Sequence, residues 1–243
     1  MWLGLQWMEI KQMNWSGKRV LVTGGALRIG RAFSEAFLAR GAEVVVHYHR
    51  SQAAAEALSD VTVCADLEDE RAVCQMMDEV GPIDVLVNNA SLFTRDRLGE
   101  ATPARALREL QVNLLAPLEL IRRFAAQSRG GAVLNLLDRR IEAHDTSCVP
   151  YTLSKAGLAE LTRLAALELA PEIRVNGVAP GPVLPSPSCS EATFHERKGV
   201  IPLERVPKVE EVVEAGLFLL ESESVTGQIV FVDGGQHLLG NGV

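Results

Sequence analysis

The chain has no run approaching the roughly 20 apolar residues needed to span a bilayer, which excludes a helical membrane protein on this reading. It also lacks any cluster of lysines and arginines, and its formal net charge of −7 excludes a nucleic-acid partner. Its four cysteines, Cys64, Cys74, Cys148 and Cys189, show no Cys-x-x-Cys spacing, so neither a thiolate zinc site nor a redox pair is indicated and no metal is expected. Scattered thiols of this kind suit a reducing cytosol, and a cytoplasmic location is the expectation. The opening Met1-Trp2-Leu3-Gly4-Leu5-Gln6-Trp7-Met8 is too short and too quickly polar to read as a secretory leader, and Met8 and Met13 offer later starting points. Internal repeats, low-complexity tracts and linkers are missing too. Residues 1–16 are expected to form a loosely held extension, and residues 17–243 a single domain. A hydrophobic fraction of 47% beside 23% charged residues is enough for a sizeable core.

What is present begins as strand, turn and helix. Lys18 to Thr23 is a short apolar run that stops at Gly24-Gly25. Ile29, Phe33, Ala36 and Phe37 then recur at helical spacing until Gly41, a natural C-cap. Glu43 to His47 is a β-branched strand, which completes a βαβ start. The intervening turn, Thr23-Gly24-Gly25-Ala26-Leu27-Arg28-Ile29-Gly30, sits where a dinucleotide-binding glycine motif must sit. Gly24 allows backbone to approach a pyrophosphate, Gly30 allows the helix to pack on the sheet, and the helix N-terminus offers amide donors to phosphate. The pattern departs from G-x-G-x-x-G because Arg28 occupies the slot where a middle glycine is expected.

Further strands are expected at 61–65, 83–87, 132–137, 174–179 and 228–232, with helices over 68–80, 103–126, 151–170 and 208–220. Met76 and Met77 read as core. The helix from Tyr151 is apolar around much of its circumference through Leu153, Ala156, Leu158, Leu161, Leu164 and Leu167, so it is expected to be covered on more than one side. The expected class is α/β, a Rossmann-type doubly wound parallel sheet of about seven strands with helices on both faces.

Chemistry concentrates between Asp138 and Lys155. Tyr151 and Lys155, four residues apart, leave one face of a helix. A lysine ammonium beside a phenol favours the phenolate and is expected to lower the tyrosine pKa, which would make Tyr151 a proton donor and acceptor near neutral pH. Asp138, thirteen residues before Tyr151 at the end of an apolar strand, can reach the same crevice. The competing reading of Asp138 is a loop carboxylate facing solvent or pairing with Arg139 or Arg140.

With the glycine turn and Tyr-x-x-x-Lys both in hand, residues 17–235 resemble the short-chain dehydrogenase/reductase family. The remaining landmarks stand in order: Ala65-Asp66-Leu67, Asn88-Asn89-Ala90, Asn113, Pro180-Gly181 and Val232-Asp233-Gly234-Gly235. The resemblance implies that Asp66 and Leu67 hold an adenine and that Asn113 binds a water passing protons to Lys155. It also implies that Gly24, Arg28, Ile29, Gly30, Asn89, Ala90, Ser91, Tyr151, Lys155, Pro180, Gly181 and Val183 contact the cofactor. A homotetramer (or homodimer) is implied as well. After the second strand, where an acidic residue would bind the ribose hydroxyl of NAD, stand His49, Arg50 and Ser51. A guanidinium fork and a hydroxyl suit a 2′-phosphate, so NADPH/NADP+ is the expected cofactor.

Several positions narrow the resemblance. Ser91 where most members have glycine, Phe93 two positions on, Arg28 in the turn, the His47–Ser51 run and Asp138 in place of the usual catalytic serine all resemble the pteridine reductase / dihydromonapterin reductase branch. That likeness implies that Phe93 stacks on a pterin. It adds Arg28, Ser91, Asp138 and Tyr151 to the residues facing a small-molecule substrate. Asp138 carries a chemical argument of its own. A carboxylate opposes the negative charge that develops on a reduced ketone oxygen and helps there only when protonated. Reducing C=N instead requires a proton at nitrogen, which a carboxyl relaying through Tyr151 can supply. Hydride transfer to a dihydropterin-type C=N bond is therefore the expected reaction. A generic carbonyl reductase acting on a 3-oxoacyl thioester or another ketone is the alternative, and a non-catalytic NADP-binding sensor is a third reading. Residues 182–206, rich in proline, read as a substrate lid. Pro185 replaces a threonine common in the family, and Ser186 is the candidate substitute for its hydrogen bond.

Overall fold

The computed structural model describes residues 14–127, 130–185 and 190–240. The expectations for Ser186, for residues 1–13 and for part of the 182–206 lid lie outside the described residues.

Seven strands form one sheet: β1 (Arg19–Val22), β2 (Glu43–Tyr48), β3 (Thr62–Cys64), β4 (Val85–Asn88), β5 (Gly131–Leu136), β6 (Ile173–Pro180) and β7 (Ile229–Val232). Their spatial order is β3-β2-β1-β4-β5-β6-β7, and every pairing is parallel. Parallel neighbours need crossover connections, and the helices that supply them cover both faces. Runs such as Val44-Val45-Val46 are buried on both sides, which is why they read as continuous β-branched segments and do not alternate.

One face carries α1 (Arg28–Leu38) and α8 (Val209–Glu221), whose Phe33, Phe37, Val212 and Leu217 pack on Val20, Val22 and Leu134. The other carries α3 (Glu70–Val80), α5 (Ala116–Gln127) and α6 (Val149–Glu168). Met76, Met77, Leu120 and Phe124 there meet Leu21, Leu86 and Val133. Each such large side chain contributes roughly 1.5–3 kcal/mol on full burial. Both methionines are core, as the sequence suggests. The doubly wound α/β class expected from the sequence is the class observed.

Three local details differ from expectation. Trp15, in the segment expected to be loosely held, is buried against Phe37 with ring centroids 4.9 Å apart, and its indole donates to Glu221 at 2.9 Å. An apolar ring that finds a core edge and a hydrogen-bond acceptor is anchored however polar its neighbours are. The helix expected over 103–126 is α4 (Pro103–Leu110) and α5 joined by a π-helical turn at Gln111–Leu115, and Asn113 sits in that turn. Within residues 182–206, where no helix was expected, stands α7 (Glu191–Arg197), with Ser190 accepting from the Thr193 amide at 3.2 Å.

Candidate active site

The order of strands reverses between β1 and β4, and at such a switch point the two connections leave in opposite directions and open a crevice at the carboxyl ends of the strands. A cleft of about 680 Å³ occupies that place. Its floor is the glycine turn. Gly24 has φ +59, and a Cβ on Gly30 would stand 2.3 Å from the Gly24 carbonyl, so both glycines are required by the close approach of turn and helix. Arg28 also holds a left-handed backbone, φ 55, which explains why a glycine was expected there. This conformation in a residue with Cβ costs about 1–2 kcal/mol. The Arg28 guanidinium donates to the carbonyls of Pro185 at 2.7 Å and Leu184 at 3.4 Å, joining the turn to the segment after β6.

The turn is braced from beneath by side chains. Asn89 donates to the carbonyls of Thr23 at 2.9 Å and Gly24 at 3.2 Å, and the Thr23 hydroxyl accepts from the amides of Asn89 and Ala90. His47, which enters the sequence reading only as the end of a strand and the start of the His47–Ser51 run, is also a brace of the turn. Its Nδ1 accepts from the Gly24 amide at 2.9 Å, and its Nε2 lies 3.1 Å from the Ala65 carbonyl. Burial holds its pKa down to about 4, which keeps the ring neutral and fixes the tautomer with the proton on Nε2.

Gly24, Arg28, Ile29, Gly30, His49, Asp66, Leu67, Asn89, Ala90, Ser91, Pro180, Gly181 and Val183 all line the cleft. Arg50 and Ser51 do not. They follow β2, with Ser51 at the start of the short helix α2 (Gln52–Glu56) but making no side-chain cap hydrogen bond. The floor therefore offers glycine backbone at close approach and a helix N-terminus, which fit the pyrophosphate of a dinucleotide.

At the reacting end, β5 delivers Asp138 and α6 delivers Tyr151 and Lys155. The Tyr151 hydroxyl donates to Asp138 Oδ2 at 3.1 Å. The Asp138 carboxylate also accepts from Arg140 Nη1, at 3.0 Å to Oδ2 and 3.2 Å to Oδ1, and from the Arg140 amide at 2.9 Å. Both readings weighed for Asp138 thus hold together: it faces the site and it pairs with Arg140. Arg140 bridges onward to Asp145 at 3.0 Å. Burial would raise the Asp145 carboxyl, but hydrogen bonds from Ser147 and Arg140 bring it down to about 2. Burial lowers the Arg140 pKa, and the adjoining carboxylates, Asp138 foremost, more than offset that, so it stays fully charged.

The lowered Tyr151 pKa expected from the lysine spacing is corrected by this geometry. Burial and the neighbouring Asp138 carboxylate hold Tyr151 well above 10, because both disfavour a second negative charge there. Lys155 Nζ donates to the Leu136 carbonyl at 2.7 Å and stands 5.9 Å from the Tyr151 ring centroid. Burial takes its pKa down to about 8, against the raising effect of Asp138 and Glu109. Tyr151 is thus held in its proton-carrying form.

Phe93 packs edge-on against Tyr151 with centroids 4.8 Å apart, and the guanidinium carbons of Arg140 and Arg95 lie 5.7 and 5.8 Å from its centre. It is 40% exposed and lines the cleft, as do Phe194 of α7 and Lys198 just after it. Asn113 is fully buried behind the wall and does not line the cleft. Its Oδ1 accepts from the Leu92 amide at 2.8 Å and the Ser91 hydroxyl at 3.1 Å, and its Nδ2 donates to the Leu92 carbonyl at 2.8 Å and Ser154 at 2.9 Å. That side chain is committed to holding the turn after β4.

A doubly wound sheet, a phosphate-binding glycine turn and a Tyr-Lys pair in one crevice define a nucleotide-dependent oxidoreductase. Residues 25–237 match the family model described as enoyl-(acyl carrier protein) reductase, and the chain belongs to the short-chain dehydrogenase/reductase family as an NADP-dependent oxidoreductase. It is 37% identical to human L-xylulose reductase, over 90% of this chain and 96% of that one. It is 35% identical to pteridine reductase 1 of Leishmania tarentolae, with the same shares of the two chains covered. The crystal structure of FolM alternative dihydrofolate reductase 1 from Brucella canis complexed with NADP superposes with a TM-score of 0.86 at 38% identity. That match covers 93% of this chain and 96% of the other.

Proposed function

We propose that this chain uses NADPH to reduce a C=N bond of a dihydropterin-type substrate, in the manner of a pteridine, dihydrofolate or dihydromonapterin reductase. The observation that carries the proposal is the Tyr151–Asp138 hydrogen bond, with a carboxylate standing where a carbonyl reductase presents a hydroxyl. A carboxylate there accepts hydrogen bonds and can receive and return protons, whereas an oxygen turning into alkoxide needs a donor. The relatives named for pteridine and dihydrofolate reduction support the same choice.

NADPH, when bound, supplies the hydride. Tyr151, kept protonated by burial, gives its proton to the substrate nitrogen. Asp138 is placed 3.1 Å away to relay the replacement. Lys155 would help hold the nicotinamide ribose, and its charge would ease the departure of the Tyr151 proton by stabilising the phenolate left behind. Arg28 would face the pyrophosphate, and Arg50 and Ser51, which lie outside the cleft lining, would have to reach the 2′-phosphate from the segment after β2. Phe93 and Ser91 border the ring of the substrate, and Asn113 supports the wall from which they project.

Ketone reduction is the second reading, favoured by the L-xylulose reductase relatives, which match as well as the pterin enzymes do. NADPH oxidation followed with 7,8-dihydropterin, dihydrofolate, L-xylulose and a 3-oxoacyl thioester separates the two. Turnover of the pterins supports the proposal; turnover confined to the ketones sinks it.

Assembly as a homotetramer (or homodimer) belongs to the same proposal. Leu153, Leu164 and Leu167 of α6 and Leu107 of α4 are exposed apolar side chains on neighbouring helices, a face that a second copy would cover. A cytoplasmic location is proposed from the free thiols of Cys64, Cys74 and Cys148.

A further inference from the structure

The buried carboxylate of Glu109 plays no part in the proton relay. It stands at the end of α4, is 0% exposed, and among the described residues meets no cation within hydrogen-bond reach. Burial raises its pKa, against the hydrogen bonds it accepts from Thr94. An acid placed there is costly, and a leucine would fill the volume without that penalty. What the acid does is visible in its partners. Oε1 accepts from the Thr94 amide at 2.6 Å and from the Thr94 hydroxyl, and Oε2 accepts from Asn113 at 3.3 Å.

Thr94 directly follows Phe93. The segment carrying the ring is therefore pinned at both ends. Asn113 holds Ser91 and Leu92 on one side, and Glu109 holds Thr94 on the other. The two anchors are four residues apart, one on α4 and one in the π-helical turn, and they touch each other. Between them Phe93 is left 40% exposed at the cleft, edge-on to Tyr151. Neither anchor reaches the cleft itself.

We propose that Glu109 is a positioning residue that, through Thr94, fixes Phe93 at the distance from Tyr151 that a flat substrate requires. The proposal rests on the reading above that Phe93 borders the substrate. Losing the acceptor lets the segment swing, so the site still binds cofactor but receives substrate poorly.

The test compares Glu109→Leu, Glu109→Gln and Thr94→Val in the full chain. Glu109→Leu keeps the volume and removes the acceptor. It should raise KM for the accepted substrate roughly tenfold or more, the equivalent of one charged hydrogen bond, while the NADPH dissociation constant stays within about twofold. Glu109→Gln keeps an acceptor oxygen for Thr94 and should restore KM. Amide hydrogen exchange over 91–97, which needs no substrate, should quicken in Glu109→Leu and not in Glu109→Gln. Thr94→Val removes one hydroxyl only and carries the same expectation in smaller measure should Glu109→Leu fail to fold. An unchanged KM with unchanged exchange overturns the proposal. So do equal losses of substrate and NADPH binding, or a Gln variant as impaired as Leu. If the wild type reduces ketones and no pterin, the proposed function falls, while the exchange arm and the ketone KM still decide the role of Glu109.

Discussion

Tyr151 and Asp138 share a hydrogen bond of 3.1 Å across thirteen residues of sequence, and the oxygen that accepts it also receives Arg140 at 3.0 Å. The phenol is therefore a donor to a carboxylate that a fixed guanidinium holds in place. In the mechanism proposed above, this pair would serve as a relay from Asp138 to Tyr151 to substrate, with Arg140 fixing the orientation of the first member.

Replacing Tyr151 by Phe removes the proton donor and little else, because the ring keeps its edge contact with Phe93. Turnover should fall by at least about a hundredfold, the usual contribution of a general acid, with NADPH affinity nearly unchanged. Single-turnover kinetics beside a fluorescence titration of NADPH check both halves. Retained turnover would remove Tyr151 from the mechanism.

His47 gives the cofactor floor a pH limit. Its folded pKa of about 4 lies below the ordinary value of 6.5, so the folded state prefers the neutral ring. Its contribution is present in full above pH 6.5 and is lost as the pH falls through 4. The full effect is on the order of 3 kcal/mol. Urea denaturation across this range should show a loss of stability that His47→Gln removes. Because Gln keeps an acceptor oxygen for the Gly24 amide, the variant should bind NADPH at neutral pH nearly as well as the wild type.

Lys155 is kept at the expense of stability. Its folded pKa of about 8 lies below the usual 10.5, so burying it favours folding only above 10.5, and that advantage is lost as the pH falls through 8. Lys155→Met should therefore stabilise the protein at pH 7 by on the order of 2–3 kcal/mol, less the hydrogen bond to Leu136, and abolish turnover. The gain should shrink as the pH rises from 8 to 10.5. Thermal melts at both ends of that range measure it.

Much of this arrangement was legible in the sequence, because its causes are local. Val44-Val45-Val46, the Gly24 turn and Gly41 each declare a strand, a tight approach and a helix end. The left-handed backbone of Arg28 was foreshadowed by the missing glycine. Other features depend on neighbours far along the chain. Gln111 to Leu115 are ordinary helix formers, and only the pull of Ser91, Leu92 and Ser154 on Asn113 marks the π-helical turn. The spacing of Tyr151 and Lys155 suggests a lowered phenol pKa, but burial and the carboxylate decide its direction. Glu109 reads as one more polar residue of an amphipathic helix until Thr94 is brought beside it.

The central claim is that Asp138 selects C=N over C=O, and the direct measurement is the ratio of kcat/KM for 7,8-dihydropterin to that for L-xylulose in the wild type and in Asp138→Ser. The wild type should favour the pterin, and Asp138→Ser should reverse or erase that preference by losing pterin turnover and gaining ketone turnover, with NADPH binding unchanged. An unaltered ratio would contradict the assignment of Asp138 and leave the substrate class to be set elsewhere in the cleft.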